Sequence, residues 1–404
     1  MTRMHHPGRW LGGLLLWPLL AIAQAAAAPP DYPPPAWLGD APRLATELAA
    51  PPLTFDRVTR IALLSAPGLW DAYRAHGISP AQLARLPHWR DAAPLSVRRD
   101  VLGLDAAPLA RAQLTEAVLA QVAAARLDWL RLALADQQLA LCRQQQQAAQ
   151  AALTLMQAQY RAGNAAEDKL LPVQLAARRA DADVLDCRAS AAAARRDLAQ
   201  RLGLPPGSAL AAAPLPELPA ILPAQDAIAA LAAQSPAARL RAQALATEAK
   251  LLPARGATRG VSLPLLHGFD AEAMPPVSGE QLAAWRAEQE ADAQLAAEYA
   301  GLTLARQRYA LLAEQLPDAR RYTRVMLTHY NGMLGSVYEL IAARAAEFAL
   351  QRELLEQQAA FWQHWLALDA RLAGALESDF PQSAPSSPVA TPAATHKEHD
   401  HAAP

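Results

Sequence analysis

Three histidines near the C-terminus have the residue type and spacing that fit metal chemistry best. His396, His399 and His401 lie within six residues, together with two carboxylates. Neutral imidazoles bind borderline divalent metals, and a given site binds copper more tightly than zinc. The preceding segment 381–395 is rich in proline, serine and alanine, which predicts a disordered tail over residues 375–404. This tail could bind copper or zinc weakly, or it could only keep the chain soluble.

Two cysteines, Cys142 and Cys187, are the second pair of residues with reactive chemistry. They lie at nearly equal distances from Asn164, so in an antiparallel helical hairpin turning at that residue they would lie at the same height. In an oxidising compartment a disulfide between them would stabilise the fold by about 4 kcal/mol in the chain-entropy model. The alternative is two ordinary buried thiols, because equal height alone does not bring the Cβ atoms together.

Catalytic motifs are missing from the sequence. It contains no glycine-rich phosphate loop, no Gly-x-Ser-x-Gly, no His-Glu-x-x-His and no Cys-x-x-Cys. The formal net charge of −1 and the lack of a basic stripe argue against nucleic-acid binding. We therefore expect neither an enzyme nor a nucleic-acid partner.

The sequence repeats itself in two halves, and the offset between them places Tyr160 on Tyr330. The glycine-containing turns that follow then align, and after a four-residue slip both copies close on a glycine, Gly203 in the first and Gly374 in the second. Each half predicts a long helix, a turn and a return helix.

Helical periodicity supports this prediction. Leu114, Val118 and Val122 recur every four residues, as one face of a helix requires. The segment from Pro108 to Tyr160 would span about 80 Å at the helical rise. Helices of this length and alanine content must pack on their return limbs and on other helices. We therefore expect self-association.

The chain divides at composition changes and at the repeat boundaries. The start resembles a secretory signal peptide, with a basic beginning, an apolar run and small residues, so we expect an exported protein. The expected organisation is a signal peptide at 1–25, short helices and a proline-rich segment at 26–107, the first hairpin repeat at 108–203, a connecting segment with short helices at 204–277, the second hairpin repeat at 278–374 and the tail at 375–404.

These features together resemble the TolC family of outer-membrane efflux proteins, also called outer membrane factors. The resemblance covers residues 51–374 and lies in the order of a long helix, a Tyr-x-x-Gly tip, an acidic residue, a leucine and a closing Leu-Gly, all duplicated. The residues that carry it are Tyr160, Gly163, Asp168, Leu170, Leu202 and Gly203 and, more loosely, Tyr330, Gly332 or Gly335, Leu340 and Gly374.

The resemblance implies a homotrimer whose hairpins form a periplasmic tunnel. It also implies hairpin tips that contact a periplasmic adaptor protein of an inner-membrane pump. The expected tip contacts are Tyr160, Gly163, Asp168, Tyr330, Gly332 and Gly335.

Members of this family also insert strands into the outer membrane just before each long helix. Here the corresponding segments, 77–107 and 253–277, are interrupted by prolines and show no sustained alternation. The expected fold is all-α, with two repeated long helical hairpins of coiled-coil character and little or no β-barrel.

The expected function is a TolC-like component of a tripartite efflux system in the outer membrane, facing the periplasm, with metal ions such as copper as candidate cargo. The alternative is a helical scaffold or metal-binding accessory protein of the soluble periplasm, without a pore.

Overall fold

The computed structural model describes residues 36–80, 108–235 and 279–376. The predicted signal peptide, the three histidines of the tail and nearly all of the two proline-containing segments lie outside these ranges. All the helices named below belong to one compact unit that begins at Trp37. Among the described residues, the α-helices are α1 (Ala41–Leu48), α2 (Phe55–Ser65), α3 (Trp70–Ala75), α4 (Pro108–Arg161), α5 (Glu167–Arg201), α6 (Gln225–Ala233), α7 (Gly279–Asn331) and α8 (Val337–Arg371).

Four of these helices form two long hairpins. Hairpin 1 is α4, a short turn and α5, and hairpin 2 is α7, a turn of equal length and α8. Alanine and leucine are abundant in all four helices, and both residues have high helix propensity. The prediction of an all-α fold with two repeated long hairpins is confirmed for the described residues.

The repeat is more regular in the structure than the sequence alignment suggested. The offset that places Tyr160 on Tyr330 also places the end of α4 on the end of α7, and both ends of α5 on those of α8, so no four-residue slip occurs. The residue equivalent to Gly203 is therefore Ala373 rather than Gly374. Both have a positive φ, +64° and +55°, because each ends a helix in the left-handed conformation.

The long helices pack in the series α5, α4, α8, α7, so that α4 and α8 are the inner pair and α5 and α7 the outer pair. The predicted apolar face of α4 is buried at Leu114, Val118 and Val122. Phe361 and Trp365 of α8 belong to the same core. The two hairpins are thus joined along their inner helices by apolar contact.

A short connection at Leu53 fastens the segments before and after hairpin 1 to the core. The Leu53 N–H donates to Ala211 O at 2.8 Å, and Leu53 O accepts from Ala213 N–H at 2.9 Å. The same oxygen accepts from the Trp129 indole nitrogen on α4, 2.7 Å away. These bonds satisfy buried polar groups that packing alone would leave without partners. They also hold the base of hairpin 1 against the connecting segment that follows it.

Candidate functional site

The tip of hairpin 1 is a tight turn built on glycine. α4 ends at Arg161, and Gly163 takes the left-handed conformation with φ +74°. The Asn164 N–H donates to Gln159 O at 2.9 Å and the Gly163 N–H to Tyr160 O at 3.0 Å. This pair of bonds is the Schellman helix ending, for which glycine is favoured because it has no Cβ.

Two further expected contact residues lie on the surface of this tip. Tyr160 is 43% exposed in the last turn of α4. Asp168 is exposed in the first turn of α5, where its carboxylate faces the positive end of the helix dipole. The structure thus brings Tyr160, Gly163 and Asp168 to one accessible turn.

The tip of hairpin 2 has the same backbone with different side chains. The Leu334 N–H donates to His329 O at 2.8 Å and the Met333 N–H to Tyr330 O at 3.1 Å. Met333 therefore occupies the left-handed position, with φ +57°. The structural equivalent of Gly163 is thus neither Gly332 nor Gly335, which lie on either side of it.

This second tip presents apolar side chains to solvent. Met333 is 95% and Leu334 is 82% exposed. Reasoning from sequence did not single out these two residues, because a non-glycine residue in the left-handed conformation carries no local sequence signal. His329 is also exposed, at the end of α7.

A capping box begins the return helix of hairpin 2. The Ser336 hydroxyl accepts from the Glu339 N–H, and the Glu339 carboxylate accepts from the Ser336 N–H at 3.0 Å. Two N–H groups that the helix itself cannot satisfy are thereby paired. The Ser-x-x-Glu pattern before an apolar run is the sequence signature of this cap.

A small apolar cluster supports both tips from below. The buried members of this tip cluster are Met156, Leu170, Val173 and Val337. Tyr330 and Tyr338 pack against it, and the Lys169 ammonium of hairpin 1 lies 5.7 Å from the centre of the Tyr338 ring of hairpin 2. Burial, with a smaller effect from the nearby Asp168 carboxylate, raises the pKa of the Tyr338 hydroxyl. The two tips therefore form one surface held by shared packing.

The remaining expected site residues lie elsewhere. Cys142 and Cys187 are joined by a disulfide across α4 and α5, with their Cα atoms 6.9 Å apart. His396, His399 and His401 lie outside the described residues. Within the described ranges, no group of three metal-ligating side chains is placed to hold a metal ion. The described part of the tips thus presents two exposed turns of different polarity.

Comparison with known proteins gives matches in structure. No protein-family model and no curated protein sequence matches the chain. The Campylobacter jejuni CmeC outer membrane channel superposes with a TM-score of 0.54 at 11% identity, over 79% of this chain and 85% of that one. The Neisseria gonorrhoeae MtrE outer membrane channel, in its open state, gives 0.52 at 18% identity, over 80% and 89%.

A membrane protein from Pseudomonas aeruginosa gives a TM-score of 0.51 at 16% identity, over 68% of this chain and 71% of that one. In the part of the chain that the structure describes, no helix has the length and apolar character needed to cross a membrane. The paired long helices, their duplication and these superpositions together show that the chain has the fold of the helical part of TolC-type outer membrane channels.

Proposed function

We propose that copies of this chain associate side by side into a periplasmic tunnel and act as the outer-membrane component of a tripartite efflux system. The observation that supports this best is an exposed apolar stripe on each outer helix. The stripe residues are Leu171, Leu175 and Leu185 on α5 and Leu304, Leu311, Tyr322 and Val325 on α7, all at least 39% exposed.

The two stripes match in height above the tips. Leu175 lies about two helical turns after the start of α5, and Tyr322 about two and a half turns before the end of α7. Leu185 and Leu311 lie about five and about five and a half turns from the same points. At about 1.5 Å per residue, each pair differs in height by no more than about 3 Å. An α5 helix of one copy could therefore pack antiparallel to α7 of the next and bury both stripes.

The repeat supports the same contact. Within the chain, α4, the first limb of hairpin 1, packs on α8, the second limb of hairpin 2. Shifting this contact by one repeat pairs α7 with α5, which are the outer helices of the series. Because they lie at opposite ends of that series, the equivalent contact requires a second copy. Such a head-to-tail contact, repeated, generates a ring when its rotation closes.

The finer features of this proposal come from the resemblance to the TolC family. We propose a ring of three copies, placed in the outer membrane and facing the periplasm, with the tips of both hairpins contacting a periplasmic adaptor protein of an inner-membrane pump. We assign no catalytic step to the chain.

Cysteine cross-linking tests the ring. In a chain carrying Leu175→Cys and Tyr322→Cys, oxidation should link neighbouring copies, and a denaturing gel should show a ladder that stops at three. The matched control carries Leu175→Cys and Leu311→Cys, which differ in height by about 18 Å and should not cross-link. Equal cross-linking in both, or none in the first, would refute the α5–α7 contact.

Membrane fractionation tests the placement. The processed protein should sediment with the outer membrane and require detergent for release. Release with the soluble periplasm as a monomer would overturn the channel proposal and favour a periplasmic helical scaffold or metal-binding accessory protein.

Metal ions such as copper are the proposed cargo, and the support is the cluster of His396, His399 and His401 in the sequence. Deleting the gene should lower copper tolerance more than tolerance to organic toxins. Replacing the three histidines with alanine should have a smaller effect in the same direction. Unchanged copper tolerance in the deletion strain would remove metal from the proposal.

A further inference from the structure

The disulfide of hairpin 1 forms part of the wall of an open cleft. The cleft has a volume of about 240 Å³ and lies between α4, α5 and α8. Both cysteines line it, together with Asp183 and Asp186 of α5 and Arg352 of α8. Cys142 is buried, whereas Cys187 is partly exposed. A small reagent can therefore reach the bond from the Cys187 side.

The ring contact proposed above leaves this cleft open. Leu185, in the apolar stripe of α5, and Cys187 are two residues apart and so point about 200° apart around the helix. The cleft thus lies on a side face of hairpin 1 and the stripe on its outer edge. The disulfide and the cleft both belong to a single chain and do not require the ring.

The helices beyond the disulfide are held together by few large side chains. Between Cys142 and Cys187, the buried side chains larger than alanine are Met156, Leu170, Val173 and Val184. The sequence separation of 45 residues between the cysteines includes the whole tip of hairpin 1. The disulfide is therefore the covalent closure of a thinly packed segment.

Hairpin 2 has no such closure. The positions equivalent to the cysteines in the second repeat are Leu312 and Gln357. Eight to ten residues nearer its tip, hairpin 2 has the buried carboxylate of Glu347, which lies 4.0 Å from Arg320 across the hairpin. Both cysteines of the sequence lie in hairpin 1, so the part of hairpin 2 outside the shared tip cluster can serve as an internal control.

We propose that the Cys142–Cys187 bond is a redox-exchange site that controls the order of the tip of hairpin 1, and that its reductant is a dithiol protein with a basic surface around its attacking thiol. The thiolate of the reductant attacks Cys187 Sγ, forming a mixed disulfide and breaking the bond to Cys142 Sγ. The electron pair goes to Cys142, whose thiolate takes a proton from water.

The second thiol of the reductant then attacks the reductant sulfur that is bonded to Cys187 in the mixed disulfide, and the bond to Cys187 Sγ breaks. The products are a reductant with an internal disulfide and a Cys187 thiolate, which takes the second proton. Two electrons and two protons are transferred in total. The Arg352 guanidinium in the cleft favours the anionic leaving group. Asp183 and Asp186 repel an anionic attacking thiol, and this repulsion is the reason for expecting a basic partner.

Small thiols of opposite charge test the site on the purified full-length protein. Cysteamine, a cation, should reduce the bond on the order of three to ten times faster than mercaptoacetate, an anion, after correction for their thiol pKa values. Asp183→Asn with Asp186→Asn should remove most of this difference. The matched control, Asp226→Asn on α6, should leave it unchanged. Equal rates in the unaltered protein would overturn the assignment of a basic partner.

Hydrogen exchange tests whether reduction of the disulfide loosens the tip of hairpin 1. Reduction by dithiothreitol should speed exchange in residues 143–186 at least about tenfold and leave residues 313–326 of α7, which lie outside the shared tip cluster, unchanged. The Cys142→Ser, Cys187→Ser variant should exchange at the fast rate with or without reductant. The proposal fails if reduction leaves exchange in 143–186 unaltered, if the bond is reduced only when the whole chain unfolds, or if the oxidised protein contains two free thiols.

Discussion

Arg126 of α4 and Asp369 of α8 form an ion pair inside the core, with 3.2 Å between Arg126 Nη1 and Asp369 Oδ2. Arg126 also donates from Nε to Thr59 Oγ1 at 2.9 Å, and its guanidinium lies 4.5 Å from the centre of the Phe55 ring. The other Asp369 oxygen accepts from the Leu376 N–H at 2.9 Å. This joint connects α2, α4 and the end of α8 at the base of both hairpins.

Removing one partner of the Arg126–Asp369 ion pair should destabilise the protein strongly. Arg126→Met leaves the Asp369 carboxylate buried without its counter-charge, so we expect the free energy of unfolding to fall by about 3–5 kcal/mol. Chemical denaturation, monitored by far-UV circular dichroism, measures this change in the free energy of unfolding. As a control, Arg43→Met breaks an exposed pair with Glu47 and should have little effect. Similar losses in the two variants would show that burial of the Arg126–Asp369 pair is energetically unimportant.

The same joint should give the protein a distinct pH dependence. Burial raises the pKa of Asp369 above its usual 3.8, and Arg126 and the Leu376 N–H offset this only in part. The folded state therefore holds this proton more tightly than the unfolded state. The stabilising contribution is fully present below pH 3.8 and is lost as the pH rises through the folded-state pKa.

Asp369→Asn should remove this contribution. The free energy of unfolding is measured against pH for the unaltered protein and for the variant. The difference, unaltered protein minus variant, should fall as the pH rises above about 4. A difference curve that rises over this range would mean that Arg126 lowers the pKa of Asp369 more than burial raises it.

Much of this fold could be predicted from the sequence, because long helices rest on local regularities. The period of Leu114, Val118 and Val122 marked a buried face, and the internal repeat marked two hairpins. The equal distances of Cys142 and Cys187 from the first turn made their pairing a reasonable possibility. Rotation about the helix axis, which decides whether two such residues face each other, depends on the packing of entire helices.

Other features depend on contacts distant in sequence and could not be predicted. The hydrogen bonds of Leu53 join the segment before α2 to residues that follow α5. No local sequence pattern predicts this pairing. Met333 took the left-handed position although glycines lie on both sides of it, because the helix end fixes where the turn falls. The turn of hairpin 2 therefore lies where the repeat predicts it, and its left-handed residue is Met333 rather than a glycine.

Met333 is in a backbone conformation that a side chain disfavours. Met333→Gly should remove about 1 kcal/mol of strain and slow local opening of the second tip. The opposite change at the equivalent position, Gly163→Ala, should cost about as much, although open space surrounds Gly163. Hydrogen exchange of the amides at each turn measures the change in local opening that each substitution causes. A Met333→Gly tip that opens faster would show that the exposed side chain makes a stabilising contact.

The capping box should contribute to the start of α8. Ser336→Ala removes the acceptor for the Glu339 N–H, 3.3 Å away, and should cost about 1 kcal/mol. Amide exchange at the first turn of α8 should speed up accordingly. The start of α5 has no side-chain cap, so Ala166→Ser should slow exchange there if its hydroxyl reaches the same geometry. Unchanged exchange after Ser336→Ala would mean that water replaces the hydroxyl without loss.

Glu347 is a buried carboxylate in the middle of hairpin 2, with Arg344 Nη1 2.8 Å from one oxygen and Gln351 Nε2 3.2 Å from the other. Arg344→Met leaves the charge buried with fewer donors and should destabilise the protein by about 1–3 kcal/mol. Glu347→Leu removes the charge itself and should cost less, because burying an apolar side chain offsets the lost bonds.

The double variant separates the two effects. If the cost of Arg344→Met comes from the stranded carboxylate, adding Glu347→Leu should recover most of it, and the two single changes will not be additive. If the double variant is instead as unstable as the sum of the single changes, Arg344 stabilises hairpin 2 by some other contact. Its guanidinium, 4.6 Å from the centre of the Phe348 ring, would then be the place to look.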